Sequence, residues 1–510
     1  MKIAVVGSGP AAAAACMALV SNKSQDREID VLDAGSPLKV TKESPFKYHP
    51  SSWTLDTYAQ IHRSVMSRAP GLIPEKSYRG HFLEHYRGSP TVCNGRVFGG
   101  LTKFWGASCL PFTQREFDEW PVTYQDMLAS YRNVLAYLPV TGSSGPLEEY
   151  FQHHLYNGEP MRTSNVMQRL KEVINTRGGP IGFTSGNSRV AVRTRGDAAC
   201  TYCGHCFYGC YNDSIYSADQ TISHLAQENR LRYVHSTKVT KFEPVPDGRV
   251  AILFEGQDGT SRVSVYDRVF LGAGCIESTR IVSRSLVAGS GFSFPILENP
   301  VFTVPLLYLG PPTTRASADL MALSNILIGR LPTGEDREYV HIQVYPLNPY
   351  LYKHATLRLT MGLSLDVPGP LRHALQGRLF MMLLYLNGRY TRGSELVFEP
   401  ERTAFRFATS TRASIAAKQV LMELGHILRH SGFKIVTLAT RKLPPGSSYH
   451  YASTIPMGKV TNTISVPGNC ELAPNVFVID SSTFVDLPAQ NQTFTIMANA
   501  DRVARLSDAQ

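Results

Sequence analysis

The chain opens on a short apolar run, Met1-Lys-Ile-Ala-Val-Val, broken at Gly7-Ser-Gly9-Pro-Ala-Ala12 and followed by an alanine-rich stretch to about Val20. The run reads as a buried strand and the stretch behind it as a helix. Ile29-Asp-Val-Leu-Asp33 reads as the next strand, and Leu231-Arg-Tyr-Val-His-Ser-Thr-Lys-Val239-Thr-Lys-Phe as a pair of strands. From about Gly291 to Leu443 the period changes. Tyr339-Val-His-Ile-Gln-Val-Tyr345 and Glu395-Leu-Val-Phe-Glu-Pro alternate, which predicts antiparallel strands exposed on one face. Ala417, Leu421, Leu424 and Leu428 recur at helical spacing, with Gly432 placed as the stop. Pro311-Pro312, Gly369-Pro370 and Pro444-Pro445-Gly446 punctuate the region as loops.

The first unit carries chemistry. Gly7 allows a tight turn, Gly9 lets backbone approach a pyrophosphate, and Ala12 is small enough for helix and strand to pack closely. A phosphate then sits on a helix N-terminus, where free N–H groups and the dipole favour negative charge. Asp33, 21 residues after Ala12, is placed to accept hydrogen bonds from a ribose. The unit predicts a Rossmann-like dinucleotide-binding domain within an α/β fold. It does not separate NAD from FAD.

Composition narrows the class. Hydrophobic residues make up 43% and charged residues 18%, which is globular, and 510 residues suggest about three domains. Runs such as Leu379–Leu386 are too short to cross a bilayer, and the chain starts on its first strand, so the expected location is cytoplasmic with at most peripheral membrane contact. The net charge of +10 leaves room for an acidic substrate, an acidic partner or an anionic membrane surface. The basic residues are dispersed without a reading motif, and the densest group, Arg189, Arg193 and Arg195, reads as a solvated loop, so no nucleic-acid partner is expected.

Three further blocks extend the reading. His450-Tyr-Ala-Ser-Thr-Ile-Pro-Met-Gly (450–458) is followed by Asp480-Ser-Ser and, 41 residues after His450, by Asn491-Gln-Thr-Phe-Thr-Ile-Met-Ala-Asn-Ala (491–500). Upstream stand Arg96-Val-Phe-Gly99-Gly100-Leu-Thr102-Lys-Phe-Trp105-Gly106 and Asp118-Glu-Trp-Pro-Val-Thr-Tyr-Gln-Asp-Met-Leu (118–128). Together they resemble the glucose-methanol-choline (GMC) family of FAD-dependent oxidoreductases. The resemblance implies a discontinuous FAD-binding domain from 1–145, 190–290 and 445–510, with an α+β antiparallel-sheet substrate domain from 146–189 and 291–444. Gly99, Gly100 and Thr102 would follow the FAD pyrophosphate and ribityl chain, and Val239 would meet the adenine through its backbone. Asp480 and Thr493 would contact FAD, and Asp267–Ser278 would supply the strand and small-residue turn that close the domain. Thr102-Lys-Phe-Trp stands where some relatives carry a flavin-linked His, which implies non-covalent FAD.

The reaction implied is oxidation of a CH–OH group, with His450 taking the hydroxyl proton, Asn491 orienting the hydroxyl, and hydride passing to flavin N5. Histidine, with an ordinary pKa of about 6.5, suits a base poised near neutrality. The chain departs from the family pattern at Ser453-Thr454, where Gly-Thr is usual, and at Gln492, where Pro is usual. A sugar, polyol or other alcohol is the expected substrate. A lipophilic alcohol in a natural-product tailoring pathway, oxidised with oxygen, and a redox-neutral isomerisation stay open. An NAD-dependent dehydrogenase would leave the Gly99 loop and the His450–Asn491 pair without a role.

Four of the nine cysteines form Cys200-Thr-Tyr-Cys203-Gly-His-Cys206-Phe-Tyr-Gly-Cys210. That spacing suits a [4Fe-4S] or [3Fe-4S] cluster, although Tyr211 stands where ferredoxins have Pro. Zinc and a structural thiol loop are the competing readings. A cluster would give electrons a route to an acceptor protein and favour a dehydrogenase over an oxidase.

Overall fold

The computed structural model describes residues 1–22, 26–36, 83–86, 89–204, 206, 210–287, 292–311, 322–333, 338–346, 357–358, 364–365, 377–399, 402–408, 410–458, 460 and 463–508. Strand β1 (Lys2–Val6) leads through a glycine turn into helix α1 (Pro10–Ser21) and strand β2 (Glu28–Leu32). They belong to a six-stranded sheet ordered Glu471–Ala473, Val476–Val478, Arg268–Leu271, β1, β2, Arg232–Val234. All pairings are parallel except the first. Ile3 to Val6 are at most 3% exposed, so the opening run is continuous because both faces of the strand are covered. Ala11 to Ala15 are equally buried, and their small side chains let α1 lie close against the C-terminal helix Thr493–Asp508. Strands are added on opposite sides of β1, β2 on one side and Arg268–Leu271 on the other, which makes the carboxyl ends of β1 and Arg268–Leu271 the crevice where such sheets bind ligands.

A second, antiparallel sheet of seven strands runs Phe433–Ile435, Val301–Tyr308, Leu379–Tyr385, Val340–Pro346, Ile326–Arg330, Phe183–Asn187, with Arg441–Lys442 pairing beside Val301–Tyr308. One face, including Ile342, Val344, Met382 and Leu384, packs on the helices Asn165–Arg177 and Thr411–Ile427. The stripe of Ala417, Leu421 and Leu424 is buried there as the helical spacing predicts, and Gly432 follows at φ +91°. Burial of each such aliphatic side chain contributes about 1.5–3 kcal/mol.

Three expectations fail. Arg189 is not in a solvated loop: it is 3% exposed and paired with the buried Glu148. The polar face of Val340–Pro346 is not exposed: His341 and Gln343 are 0% and 1% accessible, because that face roofs an internal cleft. Leu231–Phe242 does not form two strands paired with each other either. Arg232–Val234 joins the edge of the parallel sheet, whereas Lys238–Pro244 begins a separate three-stranded sheet. Pro312, Gly369 and Pro370 lie outside the described residues.

Candidate active site

One cleft runs between the carboxyl ends of the parallel strands and the roofing sheet. Gly7, after β1, has φ +98°, and a Cβ there would lie 2.6 Å from the Gly272 carbonyl oxygen in the turn after Arg268–Leu271. Only glycine permits these two turns to cross so closely. Gly9 differs, since a Cβ there would meet nothing within 4 Å; it faces the open cleft. No side chain caps α1 behind it, so the helix N-terminus presents its N–H groups to a negative ligand. Ala12 is fully buried and packs beneath the turn.

Asp33 lines the cleft at the end of β2. Its carboxylate accepts from Ser8 Oγ, from Tyr233 Oη at 2.9 Å and from Gly35 N at 3.2 Å. Burial pushes this carboxyl up, and the three donors oppose the shift. Ser8 Oγ in turn accepts from Gly99 N at 3.0 Å, which ties the second glycine loop to the first. Gly100 and Thr102 line the cleft, whereas a Cβ on Gly99 would meet the Asp219 carboxylate at 2.9 Å, so Gly99 is a packing position. Val239 and Thr493 also line the cleft.

Asp480 lines the cleft, and its carboxylate is also held by protein donors. Its Oδ1 accepts from Ser482 N at 3.0 Å and Ser482 Oγ at 2.6 Å, and its Oδ2 from Gly274 N at 2.9 Å and Ser278 Oγ at 2.5 Å. Its carboxylate thus clamps the turn at Gly274 to the loop at 481–483. Burial pushes the carboxyl up against those four donors.

His450 leaves a loop held at both ends. Gly446 N and Ser448 Oγ donate to Glu298 Oε2 at 2.7 and 3.3 Å, and the strand at Tyr451–Ala452 pairs with Leu297–Glu298. Burial raises Glu298 to about 7. The His450 ring stacks on Tyr385 with centroids 5.6 Å apart. Its Nδ1 meets Asn299 Oδ1 at 2.9 Å, and its Nε2 meets Asn491 Nδ2 at 3.2 Å. Asn299 donates through Nδ2 to the carbonyls of Leu386, Leu487 and Pro488 at 2.9, 3.4 and 2.9 Å. That orientation leaves Asn299 Oδ1 only as an acceptor, so His450 carries its proton on Nδ1 and offers the Nε2 lone pair. Asn299 also ties the His450 ring to the loop leading to Asn491, a role that a polar residue before Pro300 did not signal.

The same logic continues into the roof. Gln343 Nε2 donates to Asn491 Oδ1 at 2.6 Å and meets His341 Nε2 at 3.0 Å, while Tyr345 Oη donates to Gln343 Oε1 at 2.5 Å. His341 Nδ1 lies 3.3 Å from Tyr339 Oη. Gln343, Tyr345, Leu383 and Tyr385 line the cleft, and none was singled out as a site residue from sequence. The available signal was the period-two alternation around His341 and Gln343, which reads equally well as a solvated face.

Burial lowers both histidines: His450 to about 4, and His341 to about 3 with the nearby His450 charge adding to the effect. Both rings are therefore neutral at pH 7. For stability the sign is set by the unfolded chain, whose histidine titrates at about 6.5 and so holds more protons than the folded state as pH falls below that value. His341 stability is complete above pH 6.5 and is lost towards pH 3. Between pH 6.5 and 5 the loss is about 2 kcal/mol. His341→Gln should remove that increment, giving a smaller acid shift of the urea midpoint than wild type shows between the same two pH values.

Among the described residues, no group of three or more His, Cys, Asp or Glu side chains is arranged to hold a metal ion. Cys200 Sγ accepts from Tyr202 N at 3.4 Å and Cys210 Sγ from Ser214 N at 3.2 Å. Burial keeps the Cys206 thiol protonated, and the other three sulfurs reinforce that. Among the described residues, no helix is long and apolar enough to cross a membrane.

Residues 79–292 match the family model described as GMC oxidoreductase. The fold is similar to the crystal structure of pyridoxine 4-oxidase from Mesorbium loti, with a TM-score of 0.62 and 14% identity over 100% of this chain and 99% of that one. No curated protein sequence matches the chain.

Proposed function

We propose, from the match of residues 79–292 to the GMC oxidoreductase family model, that this chain binds FAD non-covalently and oxidises an alcohol with His450 as base. The supporting observation is the pair of His450 and Asn491 in the same cleft as Gly9 and Asp33, with the Nε2 lone pair of His450 turned to the Asn491 amide.

The cleft fits the cofactor chemically. Gly9 leaves space that a side chain would fill, the α1 N-terminus suits a pyrophosphate, and Asp33 stands beside it. The side-chain oxygens of Ser108 and Gln492 line the cleft, are buried and have no protein partner, as expected of groups that face a polar ligand. When bound, FAD supplies the acceptor for the hydride removed from carbon.

The remaining work falls to the chain. A substrate hydroxyl that displaces the His450–Asn491 hydrogen bond donates its hydrogen to His450 Nε2 and accepts from Asn491 Nδ2. Asn299 holds the ring so that the proton enters at Nε2, and the roofing sheet shields the site from water. Phe104, Trp105, Tyr345, Leu383 and Tyr385 make the wall beside this pair largely aromatic or apolar. That wall favours a lipophilic or aromatic alcohol over a sugar, and the fold neighbour, by its name an oxidase of pyridoxine, fits the same reading.

Protein purified under nitrogen should be yellow, release its flavin on denaturation, and lose its visible absorbance when an aromatic primary alcohol is added. Bleaching only by a sugar would move the substrate class. Flavin that no alcohol bleaches, or NAD(P)H consumed on adding substrate, would sink the proposal, and bound iron would return the cysteine loop to a redox role.

A further inference from the structure

His341 lies outside the cleft lining, yet it is fully buried and sits two residues before Gln343 on the same face of one strand. An asparagine amide can turn its oxygen or its nitrogen towards a neighbour at almost equal steric cost, so something must choose for Asn491. His450 Nε2 is an acceptor, because Asn299 holds the other ring nitrogen as a donor. This requires Asn491 Nδ2 to face His450 and Oδ1 to face Gln343, which is the arrangement found.

Gln343 then has to offer its own nitrogen. Tyr345 does not enforce this, since a phenol donates or accepts equally well. His341 shares in the choice: in the tautomer with its proton on Nδ1 towards Tyr339, its Nε2 is an acceptor 3.0 Å from the Gln343 nitrogen. The one Nε2 of Gln343 therefore serves His341 and Asn491 together.

We propose that His341 is a positioning residue that acts through Gln343 to hold the Asn491 amide with its nitrogen towards His450. The inference rests on the reading of His450 and Asn491 as the reacting pair. If the His341 acceptor is lost, Gln343 is free to turn, Asn491 presents its oxygen to His450 for part of the time, and that oxygen stabilises the protonated ring.

The test compares His341→Phe, His341→Gln and Gln343→Leu in the full-length holoprotein. Histidine-selective nitrogen-15 spectra follow the titration and tautomer of His450, whose signals are identified by their loss in His450→Ala. In wild type His450 should stay neutral and protonated on Nδ1 down to about pH 5, consistent with its lowered pKa of about 4. His341→Phe should raise its midpoint and lower kcat by about tenfold to a hundredfold with little change in KM. His341→Gln offers an amide oxygen as a replacement acceptor and should fall between wild type and His341→Phe in both properties. Gln343→Leu should reproduce His341→Phe, and the double variant should add nothing, since the two act in one chain.

An unchanged His450 midpoint in both His341→Phe and Gln343→Leu would overturn the proposal. So would a His341→Gln variant as impaired as His341→Phe. If His341→Phe does not fold, Gln343→Leu on the cleft wall carries the same comparison. The spectra need no turnover, so failure of every alcohol as substrate would count against the functional reading and leave this result standing.

Discussion

Replacing His450 by Ala is expected to lower kcat by about 10²–10⁴, the range over which a positioned base contributes to proton transfer, while flavin stays bound. The fold should tolerate the change, because His450 is only part-buried and borders the cleft, so water can reach Asn299 Oδ1 and Asn491 Nδ2 once the ring is gone. The wild-type pH profile gives an independent check. As the proposed base His450 works when neutral, and burial lowers it to about 4, so kcat/KM should be flat through neutrality and fall only as the medium approaches that value. An unperturbed histidine would start to fail near pH 6.5. His450→Ala should lose the acid limb along with the rate. An unchanged turnover in this variant would remove His450 from the role.

What could be read from sequence follows from how local each signal is. β1, the glycine turn and β2 are contiguous, and a continuous apolar run ending in Gly-x-Gly has few other physical solutions, so that unit is found as expected. The helix near Leu421 is legible for the same reason. The polar network is not. Asn299, His341 and Gln343 reach His450 and Asn491 only through long-range packing, and an alternating strand with a polar face looks identical whether that face meets water or a cleft. Asp480 shows a related limit: its motif marks a position, but only the four donors around it show that its carboxylate joins two loops. The cysteine run shows the reverse, a strong spacing signal whose sulfurs are not assembled as a ligand set among the described residues.

Glycine supplies the second large effect, and it separates folding from cofactor binding. Gly9→Val should give a folded protein without flavin. The backbone at Gly9, φ −74° and ψ −172°, is open to any residue, and a Cβ there meets no protein atom within 4 Å. The added bulk enters the space in front of the α1 N-terminus, where the pyrophosphate has to approach. Overpacking costs about 1–3 kcal/mol, and about 3 kcal/mol is roughly a hundredfold in affinity before any lost N–H contact is counted. Gly7→Val should behave oppositely: at φ +98° and 2.6 Å from the Gly272 oxygen, it forces apart the two turns at the centre of the parallel sheet and should abolish the folded product itself. Circular dichroism against flavin released per chain distinguishes the two. A Gly9→Val protein that keeps its full complement of flavin would show that the phosphates lie elsewhere, and would remove the α1 N-terminus from the cofactor site while leaving the fold as described.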